Sequence, residues 1–289
     1  MPSRADFICG LLPLLLTTAK ACSSDLDCSL NGRCVSSNCE CSDIWTGLAC
    51  DILKTSQPAR IESYGGQKNF ASWGGNVIAF GGKFHLYVAE MVGQCGLQTW
   101  TTNSQIVHAT SDTIDGPFEK EDVAVAPWAH NPQIVHVPSH LRAGGGDLFV
   151  LFHIGDGTGS ETRDCSKSLR HCAVSPSPSP PPRDGQAPFH TAPSPEGPWT
   201  LQHLPFDCNN PAPMLRTDGS WMLICNGGGW VLWSAPELAG PWTIAAKLSR
   251  PAASLGAGVH YEDPFLWEDD GGHLHALGHA YNNTTPCDK

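Results

Sequence analysis

Residues 210–244, NPAPMLRTDGSWMLICNGGGWVLWSAPELAGPWTI, contain the pattern that decides the fold. Apolar residues occur in short alternating runs, and these runs are separated by TDGS at 217–220, GGG at 227–229 and GPW at 240–242. Short alternating runs between turn residues are typical of β-strands. The stretch therefore predicts a hairpin followed by a third strand and its exit.

Both halves of this stretch recur along the chain. Similar strand–turn–strand units begin at residues 74, 131 and 263, and similar exits begin at 107 and 189, with Gly-Pro-aromatic steps at 116–118 and 197–199. Repeats of three or four strands, spaced about four dozen residues apart, are typical of propeller blades. The sequence therefore predicts an all-β chain with a β-propeller over residues 70–289.

The number of blades is small for a propeller. Three fairly complete units and the opening hairpin of a fourth precede Lys289. Closed propellers usually need at least one blade more, and an open one leaves an unpaired edge. We expect either an incomplete C-terminus or an irregular last blade. The second blade carries a Pro-rich insertion, AVSPSPSPPPRDGQAP at 173–188, which predicts an extended, solvated loop.

The N-terminal residues MPSRADFICGLLPLLLTTAKAC have the features of a signal peptide. Arg4 precedes an apolar run over residues 7–16, and Ala19-Lys20-Ala21 has the small-x-small form of a cleavage site. A buried helix is the alternative. We expect a signal peptide over 1–21, no later membrane span, and secretion. Without Cys9 the chain has an even twelve cysteines, as suits an oxidising compartment.

Six of the twelve cysteines fall within residues 22–50, CSSDLDCSLNGRCVSSNCECSDIWTGLAC. So short a segment cannot bury an adequate core, and its order must come from disulfides, for which the sequence alone allows fifteen pairings. The cysteine order and the C-x-C-x5-G-x2-C spacing around Gly47 resemble an EGF-like domain. This resemblance implies a module over 22–51, a linker over 52–69, and the pairs Cys22–Cys34, Cys28–Cys39 and Cys41–Cys50. It also implies a spacer or an extracellular protein contact without bound calcium.

The other six cysteines allow three further pairs, and we expect Cys208–Cys225 across a hairpin and Cys165–Cys172 across a short loop. The remaining members are Cys95 and Cys287.

The strand-opening "NP" and "DP" dipeptides and the "GPW" exits resemble the five-bladed propellers of family 43 and related glycoside hydrolases. Those enzymes bring carboxylates from different blades to a central funnel, where a protonated acid meets the leaving oxygen. The resemblance implies Glu262 as general acid, and Asp263 as a residue that stabilises charge. Gly74 stands at the usual base position and can do no proton chemistry.

The chain offers only substitutes for the missing base. Adjacent residues of a strand point to opposite faces, so we expect Glu262 and Asp263 not to act as a pair. Glu90 and Asp156 follow second strands and are the replacement candidates, with solvated turn residues as the alternative.

Several other side chains are expected to bind substrate. Asn131 and Asn210 can orient a sugar hydroxyl, while Trp100 supplies an aromatic surface and His130 lies near a strand end. His273 and His275 share a strand face, but no third ligand follows at zinc-like spacing, so we expect no metal. We expect no cofactor, and N-glycosylation at Asn282.

The formal net charge of -11 disfavours nucleic acid and anionic membranes as partners. The sequence therefore predicts a secreted carbohydrate-active propeller protein that binds a polysaccharide or glycan and hydrolyses O-glycosyl bonds with Glu262 as acid. The alternative is a non-catalytic extracellular protein that binds carbohydrate or contributes to matrix adhesion.

Overall fold

The computed structural model describes residues 21–54, 63–65, 71–159, 162–166, 185–226, 229–248, 259–269 and 271–282. Most of the expected signal peptide and Pro-rich insertion lie outside these ranges, as do Cys172, Cys287 and the side chain of Asn282. The chain divides into two compact units, Met1–Pro58 and Ala59–Lys289.

The N-terminal unit is held together by disulfides. It contains a 3-10 turn and two small antiparallel pairs, β1 with β2 and β3 with β4, over Asp25–Cys28, Gly32–Val35 (β1), Asn38–Cys41 (β2), Trp45–Thr46 (β3) and Ile52–Leu53 (β4). Its core consists of the six cysteines with Trp45 packed against them. The bonds are Cys22–Cys34, Cys28–Cys39 and Cys41–Cys50, which are the pairs implied by the sequence resemblance.

The second unit is all-β and consists of antiparallel sheets of the propeller type. Three sheets have four strands each, in the orders β5-β6-β7-β8, β12-β11-β10-β9 and β13-β14-β15-β16, and a hairpin β17-β18 follows them. The strands are Ser72–Phe80 (β5), Lys83–Met91 (β6), Ser104–Ser111 (β7), Glu119–Val125 (β8), His130–Val137 (β9), Leu148–Ile154 (β10), Pro188–Ala192 (β11), Thr200–His203 (β12), Asn209–Leu215 (β13), Trp221–Asn226 (β14), Trp230–Ala235 (β15), Thr243–Leu248 (β16), Val259–Glu268 (β17) and Leu274–Asn282 (β18).

Helices are few and short. The described part of this unit has a single turn of α-helix at Trp100–Asn103 and 3-10 turns at Leu97–Thr99 and Ser139–Leu141. None of the helices described has the length and apolar character needed to cross a bilayer.

The core lies between successive sheets, whose apolar faces cover each other. The first and second sheets share a cluster that includes Tyr87 and Phe149, and the second and third share one that includes Phe152 and Leu223. The third sheet and the final hairpin meet around Ile224 and Leu266. Burial of apolar surface between sheets, the main stabilising contribution in such a fold, therefore links each sheet to the next.

The Gly-Pro-aromatic step forms the same turn in all three sheets. The backbone N–H of each glycine bonds to a carbonyl three residues earlier, in Thr113, Ser194 and Glu237. The glycines have φ values of 79°, 99° and 97°, a region that favours residues without a Cβ atom. The repeated motif is therefore a backbone requirement of the exit turn.

Two disulfides occur among the described residues of the second unit. Cys208 and Cys225 are bonded across the hairpin, as the sequence predicted. The predicted pair Cys165–Cys172 is wrong, because Cys165 is bonded to Cys95. The reason lies in the backbone: Cys165 N donates to Gly93 O at 2.8 Å, which holds the two loops together.

The first prediction concerns the N-terminal unit. Replacing both Cys28 and Cys39 by serine should remove about 2–5 kcal/mol from that unit, enough to unfold it, because the cysteines are its core. Limited proteolysis should then cut within residues 22–54 while leaving the second unit intact. Equal protection of residues 22–54 in wild type and variant would contradict this account of the unit.

The second prediction concerns acid stability. Burial lowers the pKa values of His130 and His153 to about 3, well below the unfolded value of about 6.5. The unfolded chain therefore binds more protons as the pH falls from about 6.5 towards 3, and stability falls with it. At pH 5 each histidine should lower the free energy of unfolding by about 2 kcal/mol relative to pH 7.5.

Urea unfolding at the two pH values measures this difference. Replacing His130 by glutamine should reduce the pH-dependent loss by one histidine's share. An identical pH dependence in the wild type and the His130 variant would contradict the assignment.

Candidate functional site

The first strand of every sheet carries the same irregularity near its start. β5, β9, β13 and β17 each have one extra residue relative to the neighbouring strand, which forms a β-bulge. The bulges contain Gly74, Asn131, Asn210 and Asp263, with φ values of 63°, 51°, 44° and 50°. Glycine, asparagine and aspartate are the residues that best tolerate this left-handed region. The repeated "GG", "NP" and "DP" steps are thus explained by the backbone conformation that the bulge requires.

The bulges bring side chains from all four sheets into one hydrogen-bonded group, here called the axial cluster, made of Trp73, Asn131, Asn210 and Asp263. Asn131 Nδ2 donates to Asn210 Oδ1 at 2.9 Å and to Asp263 Oδ1 at 2.6 Å. Trp73 Nε1 donates to Asp263 Oδ2 at 3.2 Å. Both oxygens of the Asp263 carboxylate are therefore engaged.

Opposing effects act on the pKa of the Asp263 carboxyl group. Burial raises the pKa of its carboxyl group, while the hydrogen bonds from Trp73 and Asn131 and the nearby His279 act in the opposite direction. Burial prevails, and the pKa is raised. A partly buried carboxylate with oriented donors is suited to stabilising positive charge nearby.

Glu262, Asp263 and His279 converge beside this cluster. His279 Nδ1 lies 3.5 Å from Glu262 Oε1 and 3.9 Å from Asp263 Oδ2, and one ligand atom from each of the three residues lies within 4.8 Å of the others. The expectation that Glu262 and Asp263 point apart is wrong. The bulge at Asp263 breaks the alternation of the strand and turns the second carboxylate towards the first.

This trio could also hold a metal ion, since two carboxylates and an imidazole are suitable donors. The expectation of no metal remains a prediction.

A side chain at Gly74 would require the Asn131 amide to move. A Cβ atom added there would lie 2.7 Å from Asn131 Oδ1. That oxygen is buried and has no hydrogen-bond partner among the described residues. Asn131 therefore lies directly beside the glycine of the first bulge.

Trp100 and His130 form an aromatic pair, and His130 directly precedes Asn131 of the axial cluster in sequence. Their rings stack at 5.3 Å, and His130 Nδ1 lies 2.8 Å from Ser104 Oγ. His130 is only 4% exposed, whereas Trp100 is partly exposed. Trp100 is the member of the pair that a ligand can reach, and His130 supports it from below.

The substitute bases lie in other environments. Glu90 is buried and accepts hydrogen bonds from Tyr64, Gln105 and Lys120 at 2.8–3.0 Å. Asp156 accepts bonds from the backbone and hydroxyl of Thr158. Each carboxylate has a structural role where it stands.

His273 and His275 both contact Asp269 Oδ2, at 3.2 and 3.0 Å. Burial opposes ionisation of Asp269, but the hydrogen bonds from His275 and His273 outweigh it and lower the pKa to about 2. The two histidines are thus joined by a carboxylate in the turn between β17 and β18.

Comparisons with known proteins give the following picture. No protein-family model matches this chain, and no curated protein matches its sequence. Solved structures do match in part. One is a Bifidobacterium bifidum protein assigned as an exo-β-1,3-galactanase, with 13% identity, a TM-score of 0.43, and coverage of 73% of this chain and 62% of the other.

Two further matches are a family 117 glycoside hydrolase and a family 43 β-xylosidase/α-arabinofuranosidase. The first, from Zobellia galactanivorans, has 16% identity, a TM-score of 0.43 and coverage of 75% and 68%. The second comes from a compost microbial metagenome, and its structure contains xylotriose. It has 15% identity and a TM-score of 0.44, with coverage of 73% of this chain and 71% of the other. Similarity at this level assigns no activity to this chain.

The third prediction tests the axial cluster. Replacing Asp263 by alanine should destabilise the second unit by about 2–4 kcal/mol, because it orphans two donors and places alanine in the left-handed region. Replacing Asp263 by glycine should recover about 1 kcal/mol of that loss, since glycine adopts the same φ without strain. Chemical denaturation measures both. Equal stability of wild type and the alanine variant would contradict this role.

Proposed function

We propose that this chain is a secreted, carbohydrate-active propeller protein that binds a glycan at the axial end of its first strands and cleaves an O-glycosyl bond with Glu262 as general acid. The convergence of Glu262, Asp263 and His279 within 4.8 Å carries this proposal. Among the described residues, this is the one group of three potential ligands that includes carboxylates; all three side chains are partly exposed, and the ring of Trp73 lies 5.9 Å from that of His279.

Glu262 is suited to proton delivery because its side chain remains partly exposed, at 31%. In its protonated form it would donate to the leaving oxygen as the glycosidic bond breaks. A water molecule would add to the sugar carbon, and the proton that the water loses would return to the Glu262 carboxylate. His279, 3.5 Å away, is placed to hold or return a proton at Glu262 Oε1.

Asp263 is assigned to charge stabilisation. Its oxygens are held by Trp73 and Asn131, so its carboxylate is fixed in direction. A fixed carboxylate favours the positive charge that develops on the sugar ring in the transition state. Asn131 and Asn210 act through this carboxylate, and Trp100 offers the stacking surface for a sugar ring.

A non-catalytic carbohydrate-binding protein is the second candidate, and Gly74 is the observation that favours it. The bulge of the first sheet carries glycine and no carboxylate, and the Asn131 amide lies beside it. The two carboxylates also approach more closely than the about 6.5–9.5 Å that leaves room for a water between an inverting acid and base. The glycan site would then retain recognition without hydrolysis.

We further propose that the protein is extracellular. Five disulfides support an oxidising compartment. The N-terminal unit is assigned as an EGF-like module that contacts another extracellular protein, and its exposed Leu26, Leu48 and Ile52 support this assignment. N-glycosylation at Asn282 belongs to the same proposal.

The fourth prediction separates the two functions. The wild type and its Glu262→Gln variant are incubated with plant, algal and bacterial polysaccharides, and released reducing ends and retention on insoluble polymer are measured together. A general acid at Glu262 predicts release that falls about 10²–10⁴-fold in the variant while retention persists.

Glu237→Gln is the matched control, because Glu237 is an exposed glutamate in the exit turn of the third sheet. It should leave both readings unchanged. Retention without release in all three proteins would establish the binding protein instead. If no polymer retained the protein and no polymer released reducing ends, both functions would be contradicted.

A further inference from the structure

One disulfide of the second unit joins loops that belong to two different sheets. Cys95 follows β6 of the first sheet, and Cys165 lies in the connection that follows β10 of the second sheet. The two cysteines are 70 residues apart in sequence, whereas Cys208 and Cys225 are 17 apart and are bonded across one hairpin. Neither Cys95 nor Cys165 belongs to a strand, so opening their bond separates two loops without breaking a strand ladder.

The two ends of this bond differ in accessibility. Cys95 is 2% exposed, whereas Cys165 is partly exposed. Both ends of the other bond, Cys208 and Cys225, are buried, at 3% and 4%. Thiol–disulfide exchange begins with the attack of a thiolate on a sulfur that it can reach. A thiolate from solution therefore reaches the bond at Cys165, and Cys95 is the sulfur that leaves.

The surroundings of Cys95 Sγ suit a released sulfur. Asn103 Nδ2 lies 3.5 Å from this sulfur and is placed to donate to it. Such a donor stabilises a thiolate, and exchange is faster when the leaving thiol is more acidic. The carbonyl oxygens of Gly93 and Arg163 lie 3.5 and 3.6 Å from the same sulfur and can accept its S–H once the bond is open. The reduced cysteine thus has hydrogen-bond partners that are already in place.

Asn103 also links the two loops to each other. Its side chain is fully buried, and Nδ2 donates to Val92 O at 3.0 Å and to Arg163 O at 2.8 Å. Its Oδ1 accepts from Arg163 N at 3.2 Å. These bonds require Arg163 to stay beside the first loop, and the disulfide two residues later is the covalent link that keeps it there.

Trp100 belongs to the loop that this link holds. Its side chain packs against the apolar cluster around Cys95, against which Cys165 also packs. Its ring stacks on His130 of the second sheet at 5.3 Å. Separation of the two loops therefore removes part of the support of this partly exposed indole.

We propose that the Cys95–Cys165 bond is a redox switch that controls the Trp100 loop. In the oxidised protein the loop is held and the indole is fixed for binding, and in the reduced protein the loop is released. The effect on glycan binding rests on the proposed function, whereas the opening of the loop does not.

The reductant is a thiol in the surrounding medium, either a small molecule or a thiol oxidoreductase. Its thiolate attacks the Cys165 sulfur, which forms a mixed disulfide and releases the Cys95 thiolate. A second thiol then displaces the Cys165 sulfur. Two thiols of the reductant are thereby oxidised to a disulfide, and Cys95 and Cys165 each end as a thiol.

The fifth prediction tests the switch. Cysteines that are already free in the full chain are blocked with one alkylating agent, and the protein is exposed briefly to dithiothreitol and then to a second agent of different mass. Peptide mass spectrometry should find the second label on Cys95 and Cys165 before it appears on Cys208 and Cys225. Hydrogen exchange should then show amide protection about tenfold lower in residues 92–104, while the strands of the third sheet stay protected.

The double variant Cys95→Ser/Cys165→Ser is the matched control, because it lacks this bond and keeps the other disulfides. It should show the open loop without reductant. Dithiothreitol should lower retention of the wild type on a polymer that binds it about 3- to 10-fold, the contribution expected of one aromatic contact. The reduced wild type should then match the variant, and dithiothreitol should leave retention of the variant unchanged.

Three results would overturn the inference. They are labelling of Cys208 and Cys225 first, unchanged protection of residues 92–104 after Cys95 and Cys165 have been labelled, and equal retention of the oxidised and reduced wild type on a polymer that binds it. If no polymer retains the oxidised protein, the proposed glycan binding fails, and the labelling and exchange results alone decide whether the loop is switched.

Discussion

The carboxylate of Asp263 is the point at which the four sheets meet. It accepts hydrogen bonds from an indole of the first sheet and from an amide of the second, which in turn bonds to an amide of the third. The partners lie 79 to 190 residues apart in sequence, so these bonds form only when the sheets are stacked in order. Apolar burial holds each sheet to its neighbour, whereas this group fixes the first and last sheets relative to each other.

The same arrangement constrains the chemistry. The bulge that directs Asp263 towards Trp73 and Asn131 also brings it close to Glu262 and His279. Two acidic side chains from consecutive residues of one strand therefore lie side by side at the axial cluster. The first sheet adds an indole and no carboxylate, which distinguishes this site from a symmetric pair of acids on opposite sides of a substrate.

Much of the fold could be predicted from local patterns in the sequence. Alternating apolar runs and the Gly-Pro-aromatic turns indicated the strands and their repeat, since both depend on residues close together in the chain. The N-terminal disulfide pairs were implied by the resemblance of the cysteine pattern to an EGF-like domain, since the sequence alone left fifteen pairings open. The Cys95–Cys165 bond could not be predicted, because it depends on how two loops of different sheets approach each other. Similarly, strict strand alternation separated Glu262 from Asp263, and only the bulge explains their convergence.

The residues that follow Asn131 and Asn210 affect the chemical stability of these two side-chain amides. Spontaneous conversion of asparagine to aspartate proceeds through attack by the backbone nitrogen of the next residue on the side-chain amide. Asn131 and Asn210 are each followed by proline, whose nitrogen carries no hydrogen and cannot make that attack. Ageing of the protein therefore does not create new acids on the axis by this route. A change from amide to carboxylate at these two positions requires a change in the gene, and the backbone would accept it without altering the bulge.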